Sequence, residues 1–338
     1  FPDLRCYSKK ILGAGYDIMA FFGEKARNPV IDCLRGFSVL TVISAHGGII
    51  LPNDIVTPAV YRLLNNGYYG VIVFFVISGF LITTNTLRRY GEVSNINLGQ
   101  FYAMRVARIM PPLLLFIFAM IALAYFGPPQ FTPEPVTRVW TAAYKAITFQ
   151  YTTHLYASFR TGLIQWGPLW SLSVEEICYL LFPLLCLLSR RTTTFAALLF
   201  LVVVTGPYRR FDDFMTITTW RGTVDHLALG CLTAIITHRV KSSIPARHLA
   251  RPTMLTGLAI IAYVFLQHVA RTDFNYATTF VAVGAALILF GTSVRPGVGT
   301  RASILLHPLT AVGRASYEMY MFHWAFMLVW NPTVFGPT

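Results

Sequence analysis

Long apolar runs constrain this chain more than any other feature. Nine stretches of mainly apolar residues recur along its 338 residues, at 31–50, 67–87, 109–126, 168–188, 195–207, 219–237, 252–270, 276–293 and 312–331. About 20 such residues are needed to cross a bilayer core as a helix. A backbone surrounded by hydrocarbon must satisfy its own N–H and C=O groups, and a helix does this within one segment. The reading is therefore an all-α, polytopic transmembrane bundle of about nine or ten spans. The fifth stretch is the shortest of the set. Residues 127–167 open with the turn-rich GPPQFTPEP and are read as an outer loop. Within them 139–151 suit a re-entrant or surface helix. Residues 1–30 are read as a cytoplasmic or interfacial segment, with an amphipathic surface helix at Ile11–Phe22. Residues 31–338 form the membrane domain.

Charge fits this picture. Only 12% of residues are charged, about half the usual share of ~25%. The net charge is +13, and a basic balance raises the question of nucleic acid. Here the basic residues lie scattered between apolar blocks, which argues against it. With the N-terminus in the cytoplasm, 19 of the 27 Lys and Arg residues fall in inner segments and 8 in outer ones. That bias favours a cell-membrane protein with its N-terminus inside, and it accounts for the positive charge. Nine spans would put the C-terminus outside, so a further helix is expected beyond Thr338. Cys6, Cys33, Cys178, Cys186 and Cys231 form no CxxC pair. They read as small buried hydrophobes, and no metal site is expected.

Ionisable groups inside a bilayer are costly and are functional candidates by default. They are few: Arg35, His46, Glu175, Glu176, Asp225, His226, Glu318 and His323. Arg35 and His46 are eleven residues apart. Eleven helical steps make about three turns plus 20°, so the two share a helix face about 16 Å apart along the axis. That suits an anionic cofactor with phosphates at Arg35 and its reactive end toward His46. Imidazole is a natural general base for a hydroxyl near neutral pH. The plainer account is an interfacial Arg and a hydrogen-bonded core His.

Arg105 and Arg108 stand at i and i+3 at the expected start of a helix. Two guanidinium groups there can clamp phosphate, or simply anchor the inner face. Ser171, Glu175 and Tyr179 form an i, i+4, i+8 stripe. Glu175 is open to three roles: orienting His46, taking a proton from a hydroxyl, or capping the first helical turn with Glu176. Arg221 and Asp225 are spaced for an intrahelical ion pair. Ser316, Tyr320 and His323 share a face that lines a polar cavity or joins helices.

Six segments in this order resemble acyltransferase family 3, the integral-membrane enzymes that O-acylate glycans and related molecules. IDCLRGFSVLTVISAH matches an Arg-x10-His signature and GVIVFFVISGFLIT a second helix. FYAMRVARIMPP matches an Arg-x-x-Arg element. WSLSVEEICYLLFP is nearly identical to the family's WSLSVEEQFYLLWP. WRGTVDHLALGCL and ASYEMYMFHW are similar to two later helices. The match runs from Ile31 to about Phe326. Many members carry Asp at the place of Ile72, so no polar role is assigned there.

The resemblance implies ten helices and transfer of an acyl group, commonly acetyl, from cytoplasmic acyl-CoA to a hydroxyl of a carbohydrate-containing acceptor at the outer face. Acyl-CoA is then a substrate, and no permanently bound cofactor is expected. The implied catalytic residues are His46, Glu175 and Arg35. Arg35, Arg105 and Arg108 hold the donor. Ser171, Tyr179, Tyr320 and His323 contact substrate. His46 either deprotonates the acceptor or carries the acyl group as an acyl-imidazole. A transporter with a proton relay is the rival from another class, although no internal repeat is visible. N-acetylation of an amino sugar is a rival chemistry. Trp140, Tyr144, Tyr151, His154, Tyr156 and Trp166 in the outer loop suit stacking on sugar faces or an interfacial belt.

Overall fold

The computed structural model describes residues 28–50, 64, 66–153, 163–209, 219–240, 244–266, 274–295 and 306–330. The expected surface helix at 11–22, together with His154, Tyr156 and Arg160, lies outside the described residues. Every described element is helical. The helices are α1 (Pro29–Ile50), α2 (Gly67–Tyr90), α3 (Leu98–Phe126), α4 (Arg138–Ile147), α5 (Leu169–Ser189), α6 (Thr192–Arg209), α7 (Trp220–Val240), α8 (Ile244–Leu266), α9 (Phe274–Val294), α10 (His307–Arg314) and α11 (Ser316–Trp330), with short 3-10 turns between some of them.

Seven of these meet the length and hydropathy of a membrane span: segments Pro29–Gly47, Gly67–Tyr90, Leu98–Phe126, Ile164–Ser189, Thr192–Arg209, Arg247–Leu266 and Tyr276–Val294. The chain is thus a polytopic helical bundle. Two expected spans fall short for different reasons. α7 has 21 residues but carries Arg221, Asp225, His226, His238 and Arg239. It packs against α2, α6 and α9, so its polar groups face protein as well as any lipid. α11 has 15 residues, about 22 Å of rise against a hydrocarbon core of about 30 Å. The expected 312–331 span is in fact two helices, broken at Ala315 between α10 and α11.

α3 departs from expectation at its start. Arg105 and Arg108 sit two to three turns inside a 29-residue helix that begins at Leu98. Asn97 sets that start: its side-chain oxygen accepts from the Gln100 N–H at 2.9 Å, an N-cap of the usual kind. Pro111 and Pro112 lie within the helix without ending it, as membrane helices tolerate where neighbouring groups satisfy the freed carbonyls. The preceding helix stops at Gly91, whose φ of 76° is the left-handed value that glycine adopts without strain.

α2 is the hub, buried along most of its length. It crosses α7 where Gly79 meets Gly230. A Cβ on Gly79 would lie 2.0 Å from the Leu227 carbonyl oxygen, and one on Gly230 2.0 Å from that of Val76. Backbones therefore touch, as small residues permit in membrane bundles. α1 and α10 meet in the same way through Gly36 and Gly313. Added Cβ atoms there would be 2.2 Å from the Leu309 oxygen and 1.8 Å from the Asp32 oxygen.

Within residues 127–167, α4 is ten residues long, a helix too short to span. It buries Val139, Ala142, Ala143 and Ala146 and exposes Trp140 and Tyr144. Tyr151 and Trp166 are fully buried and stack on one another with centroids 6.5 Å apart. Those two are core, so the aromatic set proposed for sugar faces shrinks to Trp140 and Tyr144 among the described residues.

Gly230→Val forces backbone movement at the α2–α7 crossing. Overpacking of this kind costs about 1–3 kcal/mol or more. Thermal unfolding in detergent should show a markedly lowered midpoint, whereas Gly99→Ala, near the exposed start of α3 with only Asn97 Oδ1 at 3.6 Å, should leave it nearly unchanged.

Candidate active site

Charged and hydroxyl-bearing residues of five helices converge on one central cavity. α1 contributes Arg35, and α2 contributes Ser78. α3 contributes Arg105 and Arg108. α5 contributes Ser171, Glu175, Glu176 and Tyr179, and α11 contributes Ser316, Tyr317 and Tyr320. Val71, Phe74, Ile77, Leu81 and Ile109 complete an apolar wall. Helical spacing explains the convergence. Ser171, Glu175 and Tyr179 recur every fourth residue on α5, and Arg105 and Arg108 lie one turn apart on α3.

Glu175 is the centre of the network. Its Oε1 accepts from the hydroxyls of both Ser78 and Tyr179. The guanidinium of Arg105 lies over the Tyr179 ring, 4.0 Å from its centroid. That is a close cation–π contact, and it holds Arg105 where the α5 stripe faces α3. Arg35 is within electrostatic reach of Arg108, Asp32 and Glu175. Three guanidinium groups and two carboxylates therefore share the cavity. Toward its other end Tyr320 OH bonds Ser171 Oγ at 2.7 Å. Ser171 itself donates to the Pro168 carbonyl at 3.2 Å, so Tyr320 is the donor in that pair.

His46 does not line the cavity. It pairs with His323, which stands one turn beyond Tyr320 on α11. His323 Nδ1 lies 2.6 Å from the Tyr320 carbonyl oxygen, and His323 Nε2 lies 2.8 Å from His46 Nδ1. A carbonyl oxygen only accepts, so a neutral His323 keeps its proton on Nδ1 and offers the lone pair of Nε2. His46 must then donate from Nδ1, which leaves its Nε2 lone pair available. The relay fixes one tautomer of His46, the role a second group commonly plays beside a working imidazole. Both rings pack with Trp324, whose centroid is 4.7 Å from that of His46.

Of the nine sequence-derived site residues, seven share the cavity: Arg35, Arg105, Arg108, Ser171, Glu175, Tyr179 and Tyr320. His46 and His323 form their own pair beyond it. Arg35 lines the cavity and His46 does not, so no lining of the cavity reaches from one to the other directly. Tyr320 stands between, its ring 5.8 Å from that of His323. His323 is turned onto His46 rather than into the cavity. Asp225 and His226 are buried elsewhere, 3.8 Å apart. Ser78 and Tyr317 are cavity residues that sequence reasoning missed. The only hint of Ser78 was a lone hydroxyl within an apolar run.

The sequence pattern of the acyltransferase domain family matches residues 28–337. The O-acetyltransferase OatA of Staphylococcus aureus (strain NCTC 8325 / PS 47) is 26% identical over 324 residues, covering 90% of this chain and 51% of that protein. The peptidoglycan O-acetyltransferase OatA of Listeria monocytogenes is 23% identical over 326 residues, covering 90% and 50%. The chain spans about half the length of the curated relatives it matches. No solved structure matches it.

The Ser78–Glu175–Tyr179 network is expected to behave as one unit. Ser78→Ala and Tyr179→Phe should each lower stability by about 1 kcal/mol. The double variant should depart from the sum by at least 0.5 kcal/mol, roughly the lower limit for residues sharing a partner. Unfolding of the four proteins in detergent checks this, and strict additivity would mean that the two hydroxyls do not share Glu175.

Proposed function

This chain belongs to the acyltransferase domain family, and on that footing we propose that it moves an acyl group, acetyl by preference, from acyl-CoA to a hydroxyl of a glycan. The observation that carries the reading is the cavity itself. Three arginines line it, and a histidine pair with an available lone pair stands just past Tyr320. Guanidinium groups recognise phosphate, and a cation-lined entrance followed by a base suits a nucleotide thioester. The Lys and Arg distribution favours an N-terminus and an arginine end that face the cytoplasm, where acyl-CoA is found. The acceptor then approaches from the opposite side. The Listeria relative's name makes peptidoglycan the first acceptor to test.

The chemistry follows from the relay. Arg35, Arg105 and Arg108 hold the donor's phosphates. His46 Nε2 takes the proton of the acceptor hydroxyl as its oxygen attacks the thioester carbonyl carbon. The C–O bond forms, the C–S bond breaks, and the leaving thiolate recovers the proton from the His46 imidazolium. His323 accepts from His46 Nδ1 and keeps the ring oriented while it is charged. Glu175 offsets the arginine charge, and its hydrogen bonds to Ser78 and Tyr179 hold the cavity wall. Tyr320 must swing off Ser171 for the thioester to reach His46.

His46→Ala should lower transfer about 10²- to 10⁴-fold, the usual worth of a positioned acid–base group, while acyl-CoA binding persists in calorimetry. Arg105→Ala and Arg108→Ala should raise the donor KM instead. His323→Phe should lower kcat with donor KM little changed. The product should be alkali-labile, as an ester is and an amide is not. Acid quench with radiolabelled acyl-CoA and no acceptor should leave the protein unlabelled. Retained transfer by His46→Ala would sink this assignment of the base, and a transporter would show no dependence on acyl-CoA.

A further inference from the structure

Three side-chain oxygens in the wall of the central cavity have no hydrogen-bond partner among the described residues: Glu176 Oε1, Ser316 Oγ and Tyr317 OH. All three residues line the cavity. Glu176 is 6% exposed and Ser316 0%. A buried polar group left unsatisfied costs about 1–3 kcal/mol, and native proteins hold few of them. Three in one wall make that wall a place for a guest that supplies the missing partners.

The chemistry of the three oxygens narrows the guest. The unpartnered Glu176 oxygen is an acceptor, so the group that meets it is an N–H or O–H donor. The Ser316 and Tyr317 hydroxyls each have a proton to donate, so the same guest also carries an acceptor. A secondary amide brings both. Position narrows it further. Ser316 and Tyr317 open α11, about one turn before Tyr320 and two before His323. Tyr317 is within electrostatic reach of Glu176 and Arg108. The wall therefore lies between the guanidinium groups and the histidine pair.

Taking the acyl-CoA reading above as its footing, we infer that Glu176, Ser316 and Tyr317 form a subsite that reads the amides of the pantetheine arm. The arm is uncharged and joins the phosphates to the sulfur through two secondary amides. Its geminal methyls suit the apolar side of the cavity at Phe74, Leu81 and Ile109. The ~16 Å of helix between Arg35 and His46 corresponds to four or five extended residues, a reach comparable to that arm. Glu176 accepts from an amide N–H, and the two hydroxyls donate to amide carbonyls. The arginines alone would hold any nucleotide; this wall makes the cavity selective for one that carries pantetheine.

The test uses the full chain in detergent, with acetyl-CoA and two analogues in which one arm amide or the other is replaced by an ester. Each replacement removes an N–H and keeps the carbonyl. The unaltered protein should prefer acetyl-CoA to at least one analogue by about fivefold in kcat/KM, the worth of a net hydrogen bond of about 1 kcal/mol. In Glu176→Met that preference should fall to about one, and in Glu176→Gln, which keeps a carbonyl acceptor, it should fall only in part. Because each ratio comes from one preparation, a reduced folded fraction does not alter it. The pair Ser316→Ala and Tyr317→Phe together should raise the acetyl-CoA KM about tenfold and leave the acceptor KM within twofold. An equal preference in Glu176→Met and the unaltered protein overturns the subsite alone. So does a rise confined to the acceptor KM, which would give the wall to the sugar. If the unaltered protein does not use acetyl-CoA, the donor reading falls and the subsite with it.

Discussion

Hydrocarbon gives an isolated charge no partner, and this constraint organises the molecule. Arg35, Arg105, Glu175 and Glu176 lie on helices that are otherwise apolar, and each would be costly facing lipid. The helices must therefore be rotated so that these side chains face one another, which places a polar cavity at the centre of the bundle. Tight helix packing follows from the same demand. With the polar faces of α1, α2 and α5 brought together, the backbones on their other sides approach closely, and Gly79, Gly230, Gly36 and Gly313 allow it. The membrane environment thus sets both the position of the cavity and the glycines at the crossings that surround it.

Sequence reasoning reached the parts of this arrangement that are local. The stripe of Ser171, Glu175 and Tyr179 was legible because helical periodicity alone puts the three on one face. Arg35 and His46 were legible for the same reason, and so was the pairing of Arg105 with Arg108. What was hidden depends on contacts between distant segments. Ser78 joins Glu175 across 97 positions in the chain, and no period within α2 announces it. His323 was read as a substrate contact because it shares a face with Tyr320. Its ring nitrogen instead meets His46, 277 positions earlier, which only tertiary packing could reveal. The start of α3 was misjudged because the unbroken apolar stretch begins only at Ile109. The Asn97 cap, fourteen residues before Pro111, was the better signal. Likewise Tyr151 and Trp166 look like surface aromatics by composition, and burial alone makes them core.

The two histidines also change what the Arg-x10-His spacing means. A single helix can carry a guanidinium and an imidazole on one face without defining which ring nitrogen is basic. That choice is made by the α11 backbone, through the Tyr320 carbonyl and then His323. A main-chain oxygen cannot be altered by substitution and does not titrate, so the tautomer of His46 is anchored to the fold itself.

The contact of Gly36 with Gly313 joins α1 to α10 by backbone against backbone, and the His46–His323 bond joins α1 to α11 further along the same helix. Two attachments at different heights stop these segments from sliding past each other. The interval between Arg35 and His46 is then a fixed caliper whose opening is set by helical rise, not by side-chain rotamers. If Arg35 and His46 grip the two ends of one donor, as proposed, a rigid gauge of this kind favours molecules of one length and is indifferent to much of what lies beyond either jaw.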